Sequence, residues 1–191
     1  MAVYLVRHGQ TDWNKNGTVQ GRYDTELNQT GREQAAQARE YLKDVPLDVC
    51  FSSPLKRAME TASIILNGRD VPIKTDDRLV EMAYGVYEGT NWRAEEYQKL
   101  RRYFAYRYPK GESYLDVCYR AFSFLYEIKE LAQKGNVLIV CHGGIARVIH
   151  SFFVDGVDNE SFIDNICPNG GVREYEFVER SIPPVVPLPK E

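Results

Sequence analysis

The sequence predicts an α/β protein, a three-layer α/β/α sandwich around a mostly parallel central sheet. Two observations carry this. The all-apolar runs Val3-Tyr4-Leu5-Val6 and Val137-Leu138-Ile139-Val140-Cys141 read as strands covered on both faces, as central parallel strands are. Between them, segments with apolar residues at helical spacing alternate with further strand candidates, which is the pattern of a doubly wound sheet.

After the first strand, Gly9 lets the backbone turn sharply at the strand's carboxyl end. A helix is expected over about 30–43, where Ala35, Ala36, Ala38 and Leu42 supply the inner face between Gly31 and the break at Pro46. Val49-Cys50-Phe51 ends a third strand candidate. The next helix is expected over about 54–66, with Pro54 in an early position and Ala58, Ala62, Ile65 and Leu66 facing inward. Ile73-Lys74 reads as a short edge strand, and about 91–108 as a helix rich in arginine and tyrosine. A long amphipathic helix follows over about 113–133, capped by Ser113 with Asp116 three residues on and ended by Gly135. Beyond His142, the residues Ile145, Val148, Ile149, Phe152 and Phe153 define one more helix, and 171–178 alternates as a last strand. Four of the nine prolines, Pro183, Pro184, Pro187 and Pro189, predict an extended tail over 181–191. The remaining 1–180 reads as a single domain.

Composition sets the outer bounds. At 191 residues and 22.0 kDa the chain can bury a substantial core without metal or disulfide staples. A net charge of -3 and a pI of 5.7 argue against general nucleic-acid binding. Cys50, Cys118, Cys141 and Cys167 show no paired CxxC spacing, and two of them lie in strand candidates, so they read as reduced, small hydrophobes of a cytoplasmic protein. No signal-like segment opens the chain and no apolar run approaches the length of a membrane span.

Only three histidines occur, and two of them follow apolar runs: His8 between Arg7 and Gly9, and His142 before Gly143-Gly144. If the two strands are parallel neighbours, both rings stand on the sheet edge where ligands of open α/β proteins bind. Arg57, after Ser52-Ser53-Pro54, falls in the first turn of its helix, and a helix start attracts anions. These residue types suit a phosphate monoester. Its two negative charges call for cations, and Arg7 and Arg57 can each grip phosphate oxygens with a bidentate fork. His8, neutral at one ring nitrogen, would attack phosphorus in line with the leaving oxygen to give a phosphohistidine that water then cleaves. His142, as imidazolium, would donate to the phosphoryl oxygens, with Gly143 beside it on the substrate side. The acidic residues show no metal-ligand spacing, so neither metal nor cofactor is expected. Asn14 and Gln20 are polar candidates for the pocket wall, loop packing being the other reading for Trp13 and Asn14. Gly21 offers no side chain. His150, with no motif around it, reads as structural or exposed.

Several ordered segments carry a resemblance: Leu5-Val6-Arg7-His8-Gly9-Gln10-Thr11 with Trp13-Asn14, Gln20-Gly21-Arg22, Leu27-Asn28, Thr30-Gly31, and Ser52-Ser53-Pro54 with Arg57-Ala58 and Thr61-Ala62. Later come Glu81-Met82-Ala83-Tyr84-Gly85 with Glu88-Gly89, Gly111-Glu112-Ser113 with Asp116-Val117, and Val140-Cys141-His142-Gly143-Gly144. Together they resemble the histidine phosphatase superfamily, the phosphoglycerate-mutase-like proteins, over nearly the whole chain. The resemblance implies that fold and a site of Arg7, His8, Arg57, Glu81 and His142. In the family pattern Glu-x-x-Tyr-Gly-x-x-Glu-Gly, Glu81 is the general acid and later the base that activates water; Glu88 is the rival carboxylate, which the resemblance instead places with Gly89 in a structural turn. A short helical cap insert at about 90–112 would cover the site and bring Arg93 and Arg101, with Trp92 and Tyr97, to the leaving group. The other reading of that segment is an aromatic face on the core with its arginines in water. The short insert and proline-rich end favour a phosphatase of the bacterial broad-specificity or α-ribazole branch, a monomer or homodimer. It would hydrolyse a small phosphorylated metabolite without metal, and without nucleic-acid or membrane partners. The alternatives are a cofactor-dependent phosphoglycerate mutase and a non-catalytic phospholigand-binding protein on the same fold, the latter disfavoured by the intact set of five residues.

Overall fold

Side-chain alternation along two strands sets the layers. β1 (Val3–Arg7) turns Val3 and Leu5 into one core and Tyr4 and Val6 into the other. β4 (Val137–Cys141) does the same with Val137, Ile139 and Cys141 against Leu138 and Val140. A strand covered on both sides has no solvent face, which is why these runs are apolar throughout. The first core is closed by α5 (Tyr114–Lys134) and α6 (Gly143–Phe153), the second by α2 (Gln29–Tyr41) and α3 (Lys56–Leu66). Helices on both faces of the sheet give the expected sandwich. The computed structural model describes residues 1–178, so the tail expected over 181–191 lies outside the described residues.

The sheet order is β3 (Ile73–Thr75), β2 (Val49–Ser52), β4, β1, β5 (Val172–Tyr175). The first four run parallel, and β5 lies antiparallel along β1. The register pairs Arg7 with Cys141, and the His8 N–H donates to the Cys141 carbonyl at 2.9 Å. His8 and His142 therefore leave the sheet side by side. On the other flank of β4, Ser52 pairs with Val140, which places Ser53 beside the same edge.

Three elements depart from expectation. α3 begins at Lys56 after Leu55 in extended conformation, so Pro54 precedes the helix instead of lying in its early turn. The helix expected over 91–108 contracts to α4 (Glu95–Leu100). Its aromatic residues are anchored one by one: Tyr97 and Tyr108 join Tyr84 in a ring cluster with centroids 5.4 to 6.1 Å apart, while Phe104 packs on Tyr114 and Phe162. Pro109 also biases Tyr108 away from helical backbone. The last strand covers only Val172–Tyr175 of the expected 171–178. Two short helices, α1 (Asp12–Asn16) and α7 (Asn159–Asp164), are too brief to show a hydrophobic period. Each instead starts at a capping box, Thr11 with Asn14 and Asp158 with Ser161.

Candidate active site

The nucleophile candidate is fixed first by its own backbone. His8, 2% exposed, donates its Nδ1–H to the Gly9 carbonyl at 2.7 Å, because that oxygen can only accept. The proton thus sits on Nδ1, and Nε2 keeps its lone pair. Burial, followed by the charges of Arg57 and Arg7, pushes the imidazole pKa well below its ordinary 6.5, so the ring is neutral at physiological pH. Gly9 is required where it stands: a Cβ there would lie 2.2 Å from the Gly31 carbonyl oxygen.

Arg57 is fully buried, and its donors are largely committed. Nε–H donates to His142 Nδ1 at 3.1 Å, Nη1 to the Tyr23 carbonyl at 2.6 Å, and Nη2 to the Gly21 carbonyl at 2.9 Å. One N–H on each terminal nitrogen is left over for a ligand. Gly21, which has no side chain to offer, contributes through its carbonyl. Burial lowers the Arg57 pKa to about 10, and the guanidinium remains charged.

The same bond corrects the expectation for His142. Its Nδ1 accepts from Arg57, so the proton of the neutral ring is on Nε2, which donates to Ser53 Oγ at 2.7 Å. A second proton has no place while Arg57 holds Nδ1. Burial, with Arg57 and His8 adding to it, also pushes this pKa well below 6.5. His142 is a neutral donor here and not an imidazolium, and it packs on His8 with ring centroids 5.1 Å apart.

Glu81 is 8% exposed and is held by the first turn of α6. Oε1 accepts from the Met82 N–H at 2.8 Å and the Ile145 N–H at 3.2 Å, and Oε2 from the Gly144 N–H at 3.0 Å. Gly144 has to lack a side chain, since a Cβ would stand 2.6 Å from Glu81 Oε1 and 2.8 Å from the Tyr84 hydroxyl. Glu88 does other work: its Oε1 accepts from the backbone N–H groups of Tyr84 and Arg22 and braces the loop.

Arg7, His8, Arg57 and Glu81 line a cavity of about 300 Å3 with Gly143 beside them, whereas His142 does not line it and is buried against His8 and Arg57. Arg7 donates from Nη1 to the Cys167 carbonyl at 2.8 Å, while its buried Nε has no partner among the described residues. Asn14 and Gln20 both reach the cavity, each tied to Thr11 by hydrogen bonds. Of the two cap arginines, Arg101 lines the cavity and Arg93 does not. Arg93 lies over the Trp92 ring at 4.7 Å on the exposed side. Sequence reasoning missed Asn169, Tyr84, Tyr114 and Arg147 in the wall. Arg147 had a usable signal, since it stands four residues from Gly143 on the same helical face. Asn169, which donates to the His8 carbonyl at 3.0 Å, sits in a turn with no pattern around it.

His150 bonds the Tyr175 hydroxyl at 2.9 Å, away from this cavity. Among the described residues, no cluster of His, Cys, Asp and Glu could hold a metal ion, and no helix is long and apolar enough to cross a membrane.

Comparison with known proteins converges on one family. The family model "Histidine phosphatase superfamily (branch 1)" matches residues 3–184. The chain is 38% identical over 180 residues to PhoE, an uncharacterised phosphatase of Bacillus subtilis, covering 93% of this chain and 89% of that protein. It is 35% identical over 186 residues to a 2,3-bisphosphoglycerate-dependent phosphoglycerate mutase of Cytophaga hutchinsonii, covering 92% and 87%. The crystal structure of the α-ribazole phosphatase from Shigella flexneri superposes with a TM-score of 0.78 at 30% identity, over 89% of this chain and 87% of that one. With a cavity at the sheet edge lined by His8, Arg7 and Arg57 and a family match over almost its whole length, the chain belongs to the histidine phosphatase superfamily and is an enzyme of that family.

Proposed function

We propose that this enzyme hydrolyses phosphate monoesters of small metabolites, without a metal ion, through a phosphohistidine on His8. The observation that carries the reading is the Nδ1–H bond from His8 to the Gly9 carbonyl, which leaves Nε2 as an unprotonated nucleophile beside Arg7 and Arg57. In the first step the Nε2–P bond forms as the P–O ester bond breaks. Protonated Glu81 gives its proton to the departing alkoxide. Arg7, the two uncommitted N–H groups of Arg57 and the Nε2–H of His142 meet the charge on the phosphoryl oxygens, the last by leaving Ser53. In the second step Glu81 takes a proton from water, oxygen attacks phosphorus, the Nε2–P bond breaks and phosphate leaves. Four free cysteines support a reducing, cytoplasmic setting.

The test is hydrolysis of p-nitrophenyl phosphate in EDTA by the native chain and by His8→Ala. Native turnover lost in the variant supports the mechanism, and equal rates end it. The mutase relative motivates one further assay. With 3-phosphoglycerate and a bisphosphoglycerate primer, a phosphatase releases free phosphate, whereas a mutase returns the isomer.

A further inference from the structure

α5 carries one apolar face more than a surface helix needs. Val117, Ala121, Phe124, Leu125 and Ile128 fill its core side, yet Leu115, Tyr119, Phe122 and Tyr126, at spacings of four, three and four, form a second stripe on the outside. Leu115, Tyr119 and Tyr126 are 53%, 83% and 66% exposed. An amphipathic helix ordinarily turns a polar face to water, and a contiguous exposed apolar patch marks a contact surface.

The stripe is the floor of a groove. One hollow of about 220 Å3 lies among Phe122 and Tyr126 of α5, Phe152 and Phe153 of α6, and Phe177 and Val178 beyond β5. A second, of about 410 Å3, shares Phe122 and Tyr126 and runs on to Leu115, Cys118 and Tyr119. Phe152 stands edge-on to Phe122, Tyr126 and Phe177, with centroids 5.1 to 5.9 Å apart, and so fixes the aromatic walls. None of these residues lines the catalytic cavity.

The chain itself supplies an occupant. Val178, the last described residue, is in the groove wall, and the sequence continues from there through 179–191. Pro183, Pro184, Pro187 and Pro189 favour a polyproline II helix, whose three residues per turn bring Ile182, Val185 and Leu188 onto one edge. Aromatic-lined grooves are the surfaces on which such helices dock. The lengths agree: 182–189 span about 25 Å at the polyproline rise, and the stripe from Tyr126 back to Leu115 spans about 16 Å at the helical rise. A polyproline helix leaves its carbonyls unpaired, and Lys129 in the groove wall can donate to them. Tethered at the mouth of the groove, the tail competes with any separate partner at a high effective concentration.

We propose that residues 182–189 dock in this groove of their own chain, with Ile182, Val185 and Leu188 against the rings of α5 and α6. The contact is independent of the phosphatase reading.

Cys118 reports occupancy, because it lines the groove while Cys50, Cys141 and Cys167 are buried. The rate at which a maleimide modifies Cys118 is measured, site by site by mass spectrometry, in the native chain and in the full-length triple variant Ile182→Asp, Val185→Asp, Leu188→Asp. Docking predicts a rise of about tenfold or more in the variant, and a native rate independent of protein concentration. Tyr126→Ser, eight residues from Cys118, should raise the rate in the native chain and add nothing in the triple variant. Unfolding would expose the three buried cysteines as well, so modification confined to Cys118 separates lost docking from lost fold. Should the triple variant expose them, Leu188→Asp alone is read in its place. Equal rates with and without the tail substitutions overturn the proposal, as does an equal effect of Tyr126→Ser in both backgrounds. Protection that rises with protein concentration assigns the groove to a second copy and overturns it too.

Discussion

His8 and His142 stand one residue beyond the paired positions Arg7 and Cys141 on adjacent parallel strands, and their rings meet at 5.1 Å with an interplanar angle of 59°. The two rings carry complementary tautomers. His8 has its proton on Nδ1 and a free Nε2, whereas His142 accepts at Nδ1 and donates from Nε2. One ring is arranged to give an electron pair and the other to give a hydrogen bond.

A nucleophilic His8 predicts a trapped intermediate. Quenching native enzyme during turnover of a 32P-labelled ester should leave an alkali-stable, acid-labile label on the protein. His8→Ala should leave none and lose about a thousandfold or more in kcat. Equal labelling of both proteins would remove His8 from the role.

A general-acid role for Glu81 predicts a dependence on the leaving group. Glu81→Gln should lower kcat/KM for alkyl phosphates by about 10² to 10⁴. p-Nitrophenyl phosphate, whose phenolate leaves without a proton, should lose much less in the first step. A burst of nitrophenol followed by slow turnover is expected, because water still has no base. Identical losses for both ester types would assign Glu81 a purely structural part.

The neutral histidines predict how stability changes with pH. Both pKa values are depressed in the folded state from an ordinary 6.5, so the unfolded chain binds more protons just below that pH. Stability is therefore full above about 6.5 and is lost as pH falls from there toward the depressed values, at up to about 1.4 kcal/mol per pH unit for each ring. Urea unfolding at pH 7.5, 6.5 and 5.5 reads this slope. His8→Gln should reduce it by up to half, and a flat profile in the native protein would contradict the buried neutral rings.

Backbone contact beside the nucleophile predicts a steric defect. In Gly9→Ala the new methyl would meet the Gly31 carbonyl oxygen at 2.2 Å, with main chain on both sides. Relief requires moving β1 or α2, at a cost of about 1–3 kcal/mol or more. A fall in the urea midpoint together with a large loss of kcat is expected, and unchanged values for both would refute the contact.

What the sequence revealed was local, and what it hid was tertiary. The apolar runs of β1 and β4 and the capping box at Ser113 and Asp116 are written in neighbouring residues, so the sheet edge and the long helix were legible. Arg7, His8, Arg57 and His142 followed from motifs at that edge, and Glu81 from the family pattern. Their protonation did not, because the partners that decide it are distant: the Tyr23 and Gly21 carbonyls on Arg57, and Arg57 itself on His142. A backbone carbonyl has no signature in residue type. The cap helix was overextended because arginine and tyrosine favour helix about as readily as they serve as single anchors. Arg93 goes with it to the exposed side, whereas Arg147 was legible from its spacing of four from Gly143 on one helical face.

The tyrosine cluster beneath α4 ties the cap to the cavity. Tyr84, three residues after Glu81 and in the cavity wall with it, packs on Tyr97 of the six-residue α4 and on Tyr108, so an exchange in that cluster moves the roof of the cavity and the Glu81 loop together.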